Sequence, residues 1–372
     1  MIGAGVVGCV TALTLARRGV SVALLEAEPD LGLAASSTNS GILHMGFDSP
    51  PGELETELIL ASAALREPVL AALSVPVLHC GARLRAEGEA QRQAVAAIAD
   101  RARRNGVTVV EHDDGTLEIP GEAVTDPVFY TLALAGSATR HGAVVRVGFR
   151  VSALKWTGRE FAIGAASGET WRSRVIVNCA GLQADTVARL GGDDSFEIYP
   201  RKGEFLVFDA SGGAPLDAIL MPVPSERTRG VLVFPTVDGK VIAGPTAVDL
   251  EDKQDWSVRP DARAEILPKA RALYPELEGA EPIASYAGLR PAGREVNYVV
   301  GASKMCPGFV NVAAIRSTGL TASLAIARHV TEIVAAQGVA LGPERELEPG
   351  PPPSLDRPWW RRTADYRASG AL

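Results

Sequence analysis

The sequence contains few cysteines and histidines, which limits the metal and redox sites that it can form. There are four cysteines and five histidines in 372 residues. The cysteines are far apart and form no C-x-x-C pair of the kind that holds zinc or an iron–sulfur cluster, or that acts as a redox dithiol; they are Cys9, Cys80, Cys179 and Cys306. We therefore expect no metal site, and we interpret the cysteines as buried thiols in a reducing compartment.

An excess of basic charge and a long apolar run are also missing. The net charge of −7 at pH 7 offers no positive surface to nucleic acid. No uninterrupted apolar stretch reaches the roughly 18 to 20 residues of a transmembrane helix. The first residues form a glycine turn instead of a basic region with a cleavage site, so we expect no signal peptide. These absences predict a cytoplasmic protein without an integral membrane segment or a nucleic-acid partner.

The composition that remains is that of a globular protein with more than one core. Apolar residues make up 47% of the chain and charged residues 22%, which is typical of folded proteins. A chain of 372 residues exceeds the usual size of one hydrophobic core, so two domains are expected.

The opening stretch, residues 1–8, has the glycine spacing of a dinucleotide-binding turn. In such a turn Gly3 allows the tight bend, Gly5 lets a pyrophosphate approach the backbone, and Gly8 lets a helix pack on a strand. We also expect the chain to begin late relative to the natural product, because only two residues precede Gly3.

The segment after these glycines supports a nucleotide cofactor. The helix that follows the glycine turn, with a helical apolar period over residues 9–18, directs its first N–H groups and its positive dipole end towards phosphates. Glu26 ends the next strand, at about the position where an acid accepts hydrogen bonds from a ribose. An ordinary glycine turn in a βα unit is the alternative.

Three later segments are expected to face the same nucleotide. A loop of small polar side chains spans residues 34–44, a buried strand ends at the small-residue turn 178–181, and a last strand enters the polar turn 315–321 before a long helix. A nicotinamide dehydrogenase would complete its nucleotide fold in one contiguous block. Contacts spread along the whole chain therefore favour a flavin. Between them, residues 196–244 carry strand patterns separated by Gly and Pro turns, which predicts an antiparallel sheet.

Several motifs together resemble the flavin oxidoreductases of D-amino-acid oxidase type, in the branch of L-2-hydroxyglutarate and glycerol-3-phosphate dehydrogenases and oxidases. The motifs are IGAGVVG at 2–8, NSGILHMGFDSPPG at 39–52, VNCAGLQAD at 177–185, GPTA at 244–247, GLRP at 288–291 and IRSTGLTASLAIA at 315–327. The resemblance implies an α/β (α+β) fold in which a Rossmann-like FAD-binding domain is interleaved with a mixed or antiparallel-sheet substrate domain. We expect the FAD-binding domain at 1–75, 142–192 and 296–340, the substrate domain at 76–141 and 193–295, and a Pro-rich tail at 341–372, outside the core. The stretch 359–362 of this tail would either contact a partner or membrane surface or fold back on the protein.

The same resemblance assigns residues to the cofactor. They are Gly3, Gly5, Val6, Val7, Gly8 and Glu26 for the adenosine and pyrophosphate, Ser36, Ser37 and Asn39 for the flavin side, Ala180 and Gly181 along the cofactor, and Gly319, Leu320 and Thr321 at the pyrimidine edge of the ring.

The resemblance also implies how substrate is held and oxidised. His44, four residues after Ser40, matches a histidine that serves as catalytic base, and Arg290 matches an arginine that holds the anionic group of the substrate. A neutral imidazole is suited to remove a hydroxyl proton at pH 7, and an arginine fork pairs with carboxylate or phosphate. Further substrate contacts are expected from Ser40, Arg316 and Ser317, and from Lys202.

We therefore predict an FAD-dependent oxidoreductase that acts on the CH–OH group of a small anionic alcohol, such as L-2-hydroxyglutarate or glycerol 3-phosphate. Oxygen, a quinone or another acceptor would take the electrons. An amine or amino-acid oxidase on the same fold and a flavin-binding subunit without turnover are the alternatives. Covalent attachment of the flavin through His44 stays open.

Overall fold

The computed structural model describes residues 1–209, 215–224 and 230–368. Its helices are α1 Val6–Arg17, α2 Leu54–Ala72, α3 Gly88–Arg104, α4 Pro127–Arg140, α5 Ala184–Leu190, α6 Ala262–Leu273, α7 Gly319–Ala336 and α8 Trp359–Ala368, with short 3-10 helices at Ala35–Thr38, Gly181–Gln183 and Pro275–Leu277. The strands are β1 Ala23–Leu25, β2 Ile42–Leu43, β3 Val77–Leu78, β4 Ala82–Arg85, β5 Val110–Glu111, β6 Thr116–Ile119, β7 Ala123–Thr125, β8 Val144–Arg146, β9 Val151–Trp156, β10 Phe161–Ala165, β11 Thr170–Ser173, β12 Ile176–Asn178, β13 Ile198–Asp209, β14 Ile219–Met221, β15 Leu232–Pro235, β16 Lys240–Gly244, β17 Val248–Asp249, β18 Ala284–Gly293, β19 Val299–Ala302 and β20 Phe309–Ala313.

A mostly parallel sheet carries the glycine turn. Strands β1 and β8 pair in parallel, as do β12 and β20, and β19 adds an antiparallel edge next to β20. Ile2 joins the two halves through parallel bridges to Leu25 and Asn178. The Ile2 amide donates to the Val177 carbonyl at 2.9 Å, and the Gly3 amide donates to the Leu25 carbonyl at 2.8 Å. The glycine turn therefore leaves the middle of the sheet at the carboxyl ends of its strands, where open α/β sheets bind ligands.

Helices cover this sheet and form its apolar core. Helix α1 packs against α4 and α7, and α7 also packs against α2. Because α4 packs on α1, residues 127–140 lie with the nucleotide unit, although we assigned 76–141 to the substrate domain. We therefore propose that the boundary lies near residue 126.

A second, larger sheet forms the wall on which a substrate would lie. Its strand order is β18-β13-β16-β15-β14-β4-β6-β5, and β17 pairs with the start of β13. Strand β13 pairs with β18 in antiparallel fashion over ten positions, from Ile198 with Gly293 to Val207 with Ala284. The pairing of β14 with β4 is parallel. The α/β architecture and the mixed sheet confirm the predicted fold class.

The Pro-rich tail folds back on the protein, and its last helix is part of the core. Trp359 and Trp360 on α8 are buried in the core cluster of the larger sheet. The connecting segment crosses α4 where Gly350 meets Gly136, and a Cβ on Gly350 would collide with the Gly136 backbone. Burial of two indole rings gives this segment enough apolar area to hold it on the protein. In the described ranges no helix has the length and apolar character needed to cross a membrane.

Candidate functional site

The glycine turn forms one end of a cleft of about 390 Å³. Gly3 has a φ of +96°, in the left-handed region that favours glycine. A Cβ on Gly3 would collide with the Cys179 carbonyl, and a Cβ on Gly8 would collide with the Gly3 carbonyl. The glycines at 3 and 8 are therefore required for α1 to start this close to β12, and the turn leaves its backbone open to the cleft.

Two side chains brace the turn from the cleft side. Glu26 accepts a hydrogen bond from the Ala4 amide at 2.7 Å, and Ser36 Oγ accepts one from the Val6 amide at 2.9 Å. Burial raises the pKa of the Glu26 carboxyl. Its carboxylate retains lone pairs beyond the Ala4 and Glu28 amides that it already accepts, so it can also accept from a ribose hydroxyl.

Most of the predicted cofactor residues come together in this cleft. Those that line it are Gly3, Gly5, Val6, Val7, Gly8, Glu26, Ser36, Asn39, Ala180, Gly181, Gly319 and Leu320. They come from the glycine turn and the start of α1, from the ends of β1 and β12, from the 3-10 helix at Ala35–Thr38 and the residue after it, and from the start of α7. Backbone close to the cleft, a helix N-terminus and an acceptor carboxylate fit a dinucleotide.

Two predicted cofactor residues do not line the cleft. The Ser37 hydroxyl is buried against Thr363 of α8 and the Ala34 carbonyl. The Thr321 hydroxyl accepts from the His44 amide at 3.1 Å and donates to the Ile42 carbonyl at 3.3 Å. Both hydroxyl groups therefore support neighbouring segments and neither residue lines the cleft, so we correct their assignment.

A second cavity of about 400 Å³ adjoins the first. Ala35, Asn39, Arg316 and Ser317 line both cavities. The second cavity is bounded by the β13–β18 sheet on one side and by the segment from Asn39 to His44 on the other. A redox ring at the junction would have the second cavity above it.

His44 lines the second cavity and forms a hydrogen-bonded pair with the buried Glu122. His44 Nδ1 lies 2.9 Å from Glu122 Oε2, and Glu122 Oε1 accepts from the Met45 amide at 2.7 Å. The Glu122 side chain is 0% exposed, whereas that of His44 is 19% exposed. A carboxylate at this position accepts the Nδ1 hydrogen, which leaves the Nε2 lone pair for the cavity.

A buried arginine fixes the backbone that carries His44. Arg66 of α2 donates to the Leu43 carbonyl at 3.1 Å and to the His44 carbonyl at 2.7 Å. Burial lowers the pKa of Arg66, and the nearby Glu122 opposes this effect. Positive and negative buried charges thus stabilise each other around the backbone of His44.

Arg290 brings a buried positive charge to the same cavity. Its Nη1 lies 3.4 Å from the Arg201 carbonyl oxygen, and no carboxylate pairs with it in the described part of the chain. Burial, reinforced by the neighbouring Arg201, lowers the pKa of Arg290 to about 10. Its guanidinium lies across Gly203, where a Cβ would collide with it. An anion in the cavity would neutralise this charge.

The other predicted substrate residues separate into two groups. Ser40, Arg316 and Ser317 line the second cavity. Lys202 does not: its side chain is 1% exposed, and Nζ lies 2.8 Å from Asp255 and 2.9 Å from the Ser257 carbonyl. Lys202 therefore anchors the loop at 255–257, and its assignment to substrate is corrected. Successive side chains of a strand point to opposite faces of the sheet, so Lys202 lies on the face opposite that of its neighbour Arg201.

Sequence reasoning missed Glu122, Arg201, Trp256 and Arg367. Arg201 lines the second cavity, and Trp256 and Arg367 line the first. Glu122 is separated from His44 by 78 residues, and no local pattern joins them. One signal could have placed α8 on the protein: Trp359 and Trp360 lie at helical spacing from Thr363, which indicates a helix with an apolar face. Arg367 is on the same helix.

Comparison with known proteins agrees with this geometry. Residues 1–333 match the family described as DAO, FAD dependent oxidoreductase. The glycerol 3-phosphate dehydrogenase of Caloramator mitchellensis is 29% identical over 350 residues, which cover 90% of this chain and 73% of that protein. The mitochondrial L-2-hydroxyglutarate dehydrogenase of Mus musculus is 26% identical over 277 residues, which cover 66% of this chain and 60% of that protein.

A solved structure has the same fold along nearly its whole length. The dithionite-reduced, FAD-bound L-alpha-glycerophosphate oxidase from Mycoplasma pneumoniae has a TM-score of 0.86 and 25% identity, and covers 93% of this chain and 96% of its own. The resemblance carried by the sequence motifs is thereby confirmed: the chain belongs to the DAO family of FAD-dependent oxidoreductases.

Proposed function

We propose that this protein oxidises the CH–OH group of a small anionic alcohol, either glycerol 3-phosphate or a 2-hydroxy acid such as L-2-hydroxyglutarate. The observation that carries the proposal is the second cavity, where the His44–Glu122 pair and the guanidinium of Arg290 share one space next to the cofactor cleft. Two relatives named above act on molecules that combine a hydroxyl group with a phosphate or carboxylate, which supports this substrate class.

The arginines favour an anionic substrate. Arg201, Arg290 and Arg316 line the cavity, and Arg290 has no carboxylate partner among the described residues. An unpaired guanidinium in a partly dry site is costly unless a ligand supplies the opposite charge. A phosphate or carboxylate held by Arg290 would fix the orientation of the adjacent carbon, and this positioning lowers the barrier to reaction.

His44 is proposed as the base. Glu122 holds Nδ1, so Nε2 faces the substrate and can take the hydroxyl proton as the carbon is oxidised. FAD, when bound, supplies the acceptor for the hydride that leaves this carbon. The Glu122 carboxylate keeps the imidazole in one tautomer and stabilises the positive charge that forms on it, which is the part a carboxylate plays beside a catalytic histidine.

An anaerobic substrate series tests the proposal. Purified holoprotein is mixed without oxygen with glycerol 3-phosphate, L-2-hydroxyglutarate, L-lactate and L-proline, and the flavin absorbance band is followed. Bleaching by one of the anionic alcohols is the expected result. Bleaching by the amine alone would replace the proposal with an amine oxidase, and no bleaching by any of the four would favour a flavin-binding subunit without turnover. Reoxidation of the bleached protein by oxygen or by a soluble quinone then identifies the acceptor class.

A further inference from the structure

We infer that the C-terminal helix α8 completes the cofactor site, and that Arg367 binds the diphosphate of FAD through N–H groups that no acceptor among the described residues uses. The inference rests on the FAD cleft described above and adds a binding residue that lies beyond the part of the chain matched by the family, residues 1–333.

Arg367 is a buried cation whose hydrogen bonds are only partly used. Its side chain is 9% exposed, and it lines the first cavity. Nη2 lies 3.1 Å from Glu28 Oε1 and donates to the Leu33 carbonyl at 2.9 Å. Nε and Nη1 are buried and have no partner within the described residues. Buried N–H groups of a guanidinium are normally paired, so this pair of donors indicates a ligand.

A second unpartnered donor lies beside it. The guanidinium of Arg367 lies 4.9 Å from the ring centre of Trp256, and Trp256 also lines the cleft. The Trp256 Nε1 group is buried and lacks a partner in the same ranges. Donors from α8 and from the 252–257 loop thus meet at one wall, which favours a ligand rich in acceptor oxygens.

Both segments are held firmly enough to serve as walls. The loop is fixed by the Lys202–Asp255 pair at 2.8 Å and by Lys253, which lies 2.7 Å from Asp185. Helix α8 is fixed by its buried tryptophans and by Tyr366, whose hydroxyl donates to Glu28 at 2.8 Å. Glu28 neutralises part of the charge of Arg367, and a diphosphate would supply the acceptors for its remaining N–H groups.

The diphosphate is the part of FAD that this chemistry fits. Arginine pairs with phosphate through charge-assisted N–H···O bonds. Nε–H and Nη1–H of Arg367 point to different sides of the guanidinium, so each can donate to a separate ligand oxygen. The residues that begin α1, and Ser36, which accepts from the Val6 amide, line the same cleft. Arg367 would then add a positively charged contact to the diphosphate, and release of FAD would require this contact to break.

The test measures FAD retention by the holoprotein. Wild type and Arg367→Ala are diluted, free FAD is quantified by its fluorescence, and 5′-ADP is added as a competitor for rebinding. Loss of a hydrogen-bonded charge is expected to raise the dissociation constant for FAD by about 10- to 100-fold and to weaken competition by 5′-ADP in parallel. Arg361→Ala is the matched control, because Arg361 is on the same helix and 55% exposed, and its dissociation constant should stay within about twofold of wild type.

Two further variants distinguish direct binding of FAD by Arg367 from a purely structural role of Arg367. Glu28→Gln removes the ion pair of Arg367 but leaves its free N–H groups, so it should retain FAD far better than Arg367→Ala. Arg367→Lys keeps a charge but loses the planar guanidinium with its fixed N–H directions, and should still raise the dissociation constant about fivefold or more. The inference is overturned if Arg367→Ala retains FAD like wild type, or if Glu28→Gln loses FAD as readily as Arg367→Ala. Failure of the wild type to retain FAD would instead contradict the cofactor site itself.

Discussion

The geometry of His44 depends on a residue that is distant in sequence and fully buried. Glu122 contacts the imidazole with one carboxylate oxygen and the Met45 amide with the other. Both contacts bear on the same short segment, so Glu122 orients the ring and fixes the backbone that carries it. Arg66 holds the His44 carbonyl from the other side. We therefore treat Glu122 as a positioning residue.

Replacing Glu122 with Gln should slow substrate oxidation without loss of FAD. The amide of Gln can still accept from the Met45 amide but carries no charge to stabilise a protonated His44. We expect the limiting rate of anaerobic flavin reduction to fall by about one to three orders of magnitude. Stopped-flow absorbance measures this rate, and the dissociation constant for substrate should change little.

The control for this variant is Glu118→Gln, since Glu118 is part of an exposed network with Arg83 and His112. It should reduce its flavin at the wild-type rate. Equal rates for Glu122→Gln and wild type would show that Glu122 only stabilises the fold.

Tyr286 provides a test of the packing beneath the substrate wall. Its ring stacks on Phe205 with centres 4.8 Å apart, and its hydroxyl is buried without a partner among the described residues. Tyr286→Phe keeps the ring and removes an unpaired polar group. We expect the free energy of unfolding to rise by about 1 kcal/mol, measured by urea denaturation.

Tyr130→Phe is the matched control for this change. Tyr130 is equally buried, but its hydroxyl is hydrogen-bonded to Ser323. This substitution should lower the free energy of unfolding by about 1 kcal/mol. If both substitutions destabilise the protein, the hydroxyl of Tyr286 has a partner in solution.

At the scale of elements, the regular helices were predictable and the tail was not. The sequence predicted helices close to α1 and α7, because each follows a strand and a glycine-containing turn, a pattern that is visible in the local sequence. Helix α8 follows a Pro-rich stretch and is anchored by two tryptophans and by Thr363, so its position depends on contacts with distant elements. Propensity alone carries no information on such contacts.

At the N-terminus of α4, burial changes the pKa of the capping carboxyl group. Asp126 accepts from the Val128 amide at 2.9 Å and from the Phe129 amide at 2.8 Å, and Pro127 begins the helix. Burial raises the pKa of Asp126 to about 6, although these two amides oppose the shift. The folded protein therefore binds a proton at pH values where the unfolded chain has already lost it.

This raised pKa predicts that Asp126→Asn increases the free energy of unfolding by an amount that depends on pH. Between about pH 4 and pH 6 the native state holds more protons at this site than the unfolded state, so the stability of the wild type falls as pH rises. Asn caps a helix about as well as Asp and does not ionise. The advantage of the variant should therefore increase by at most about 3 kcal/mol from pH 4 to pH 7, as measured by urea denaturation at each pH.

Asp261→Asn is the control for this pH series. Asp261 precedes α6, is 73% exposed and makes no side-chain cap, so its substitution should give a difference that varies little with pH. If the free energies of unfolding of Asp126→Asn and wild type differ by the same amount across this pH range, burial does not raise the pKa of Asp126.

At the scale of the whole molecule, the site is assembled from segments far apart in the chain. His44 follows β2, Arg290 lies on β18, and Arg316 and Ser317 lie in the turn before α7. The sequence motifs predicted most of the segments that line the first cavity, because glycine turns and strand ends leave a local signal. They did not predict that Lys202 is buried in an ion pair or that Glu122 reaches His44, because both facts depend on how the two sheets pack.

Charge is distributed unevenly over the molecule. The chain has 44 acidic and 37 basic residues, yet three arginines line the proposed substrate cavity. The net charge of the chain therefore argued against a nucleic-acid partner, but it did not indicate whether the small-molecule ligand is positively or negatively charged. The local arrangement of arginines is the feature that favours an anion.

The measurement that tests the central claim most directly is the rate of anaerobic flavin bleaching in wild type and in His44→Gln, at a saturating concentration of the preferred anionic alcohol. The account predicts that both proteins contain equal FAD and that the variant bleaches more slowly by about two to four orders of magnitude. Equal bleaching rates would contradict the assignment of His44 as base, and a wild type that no small anionic alcohol bleaches would contradict the proposed function.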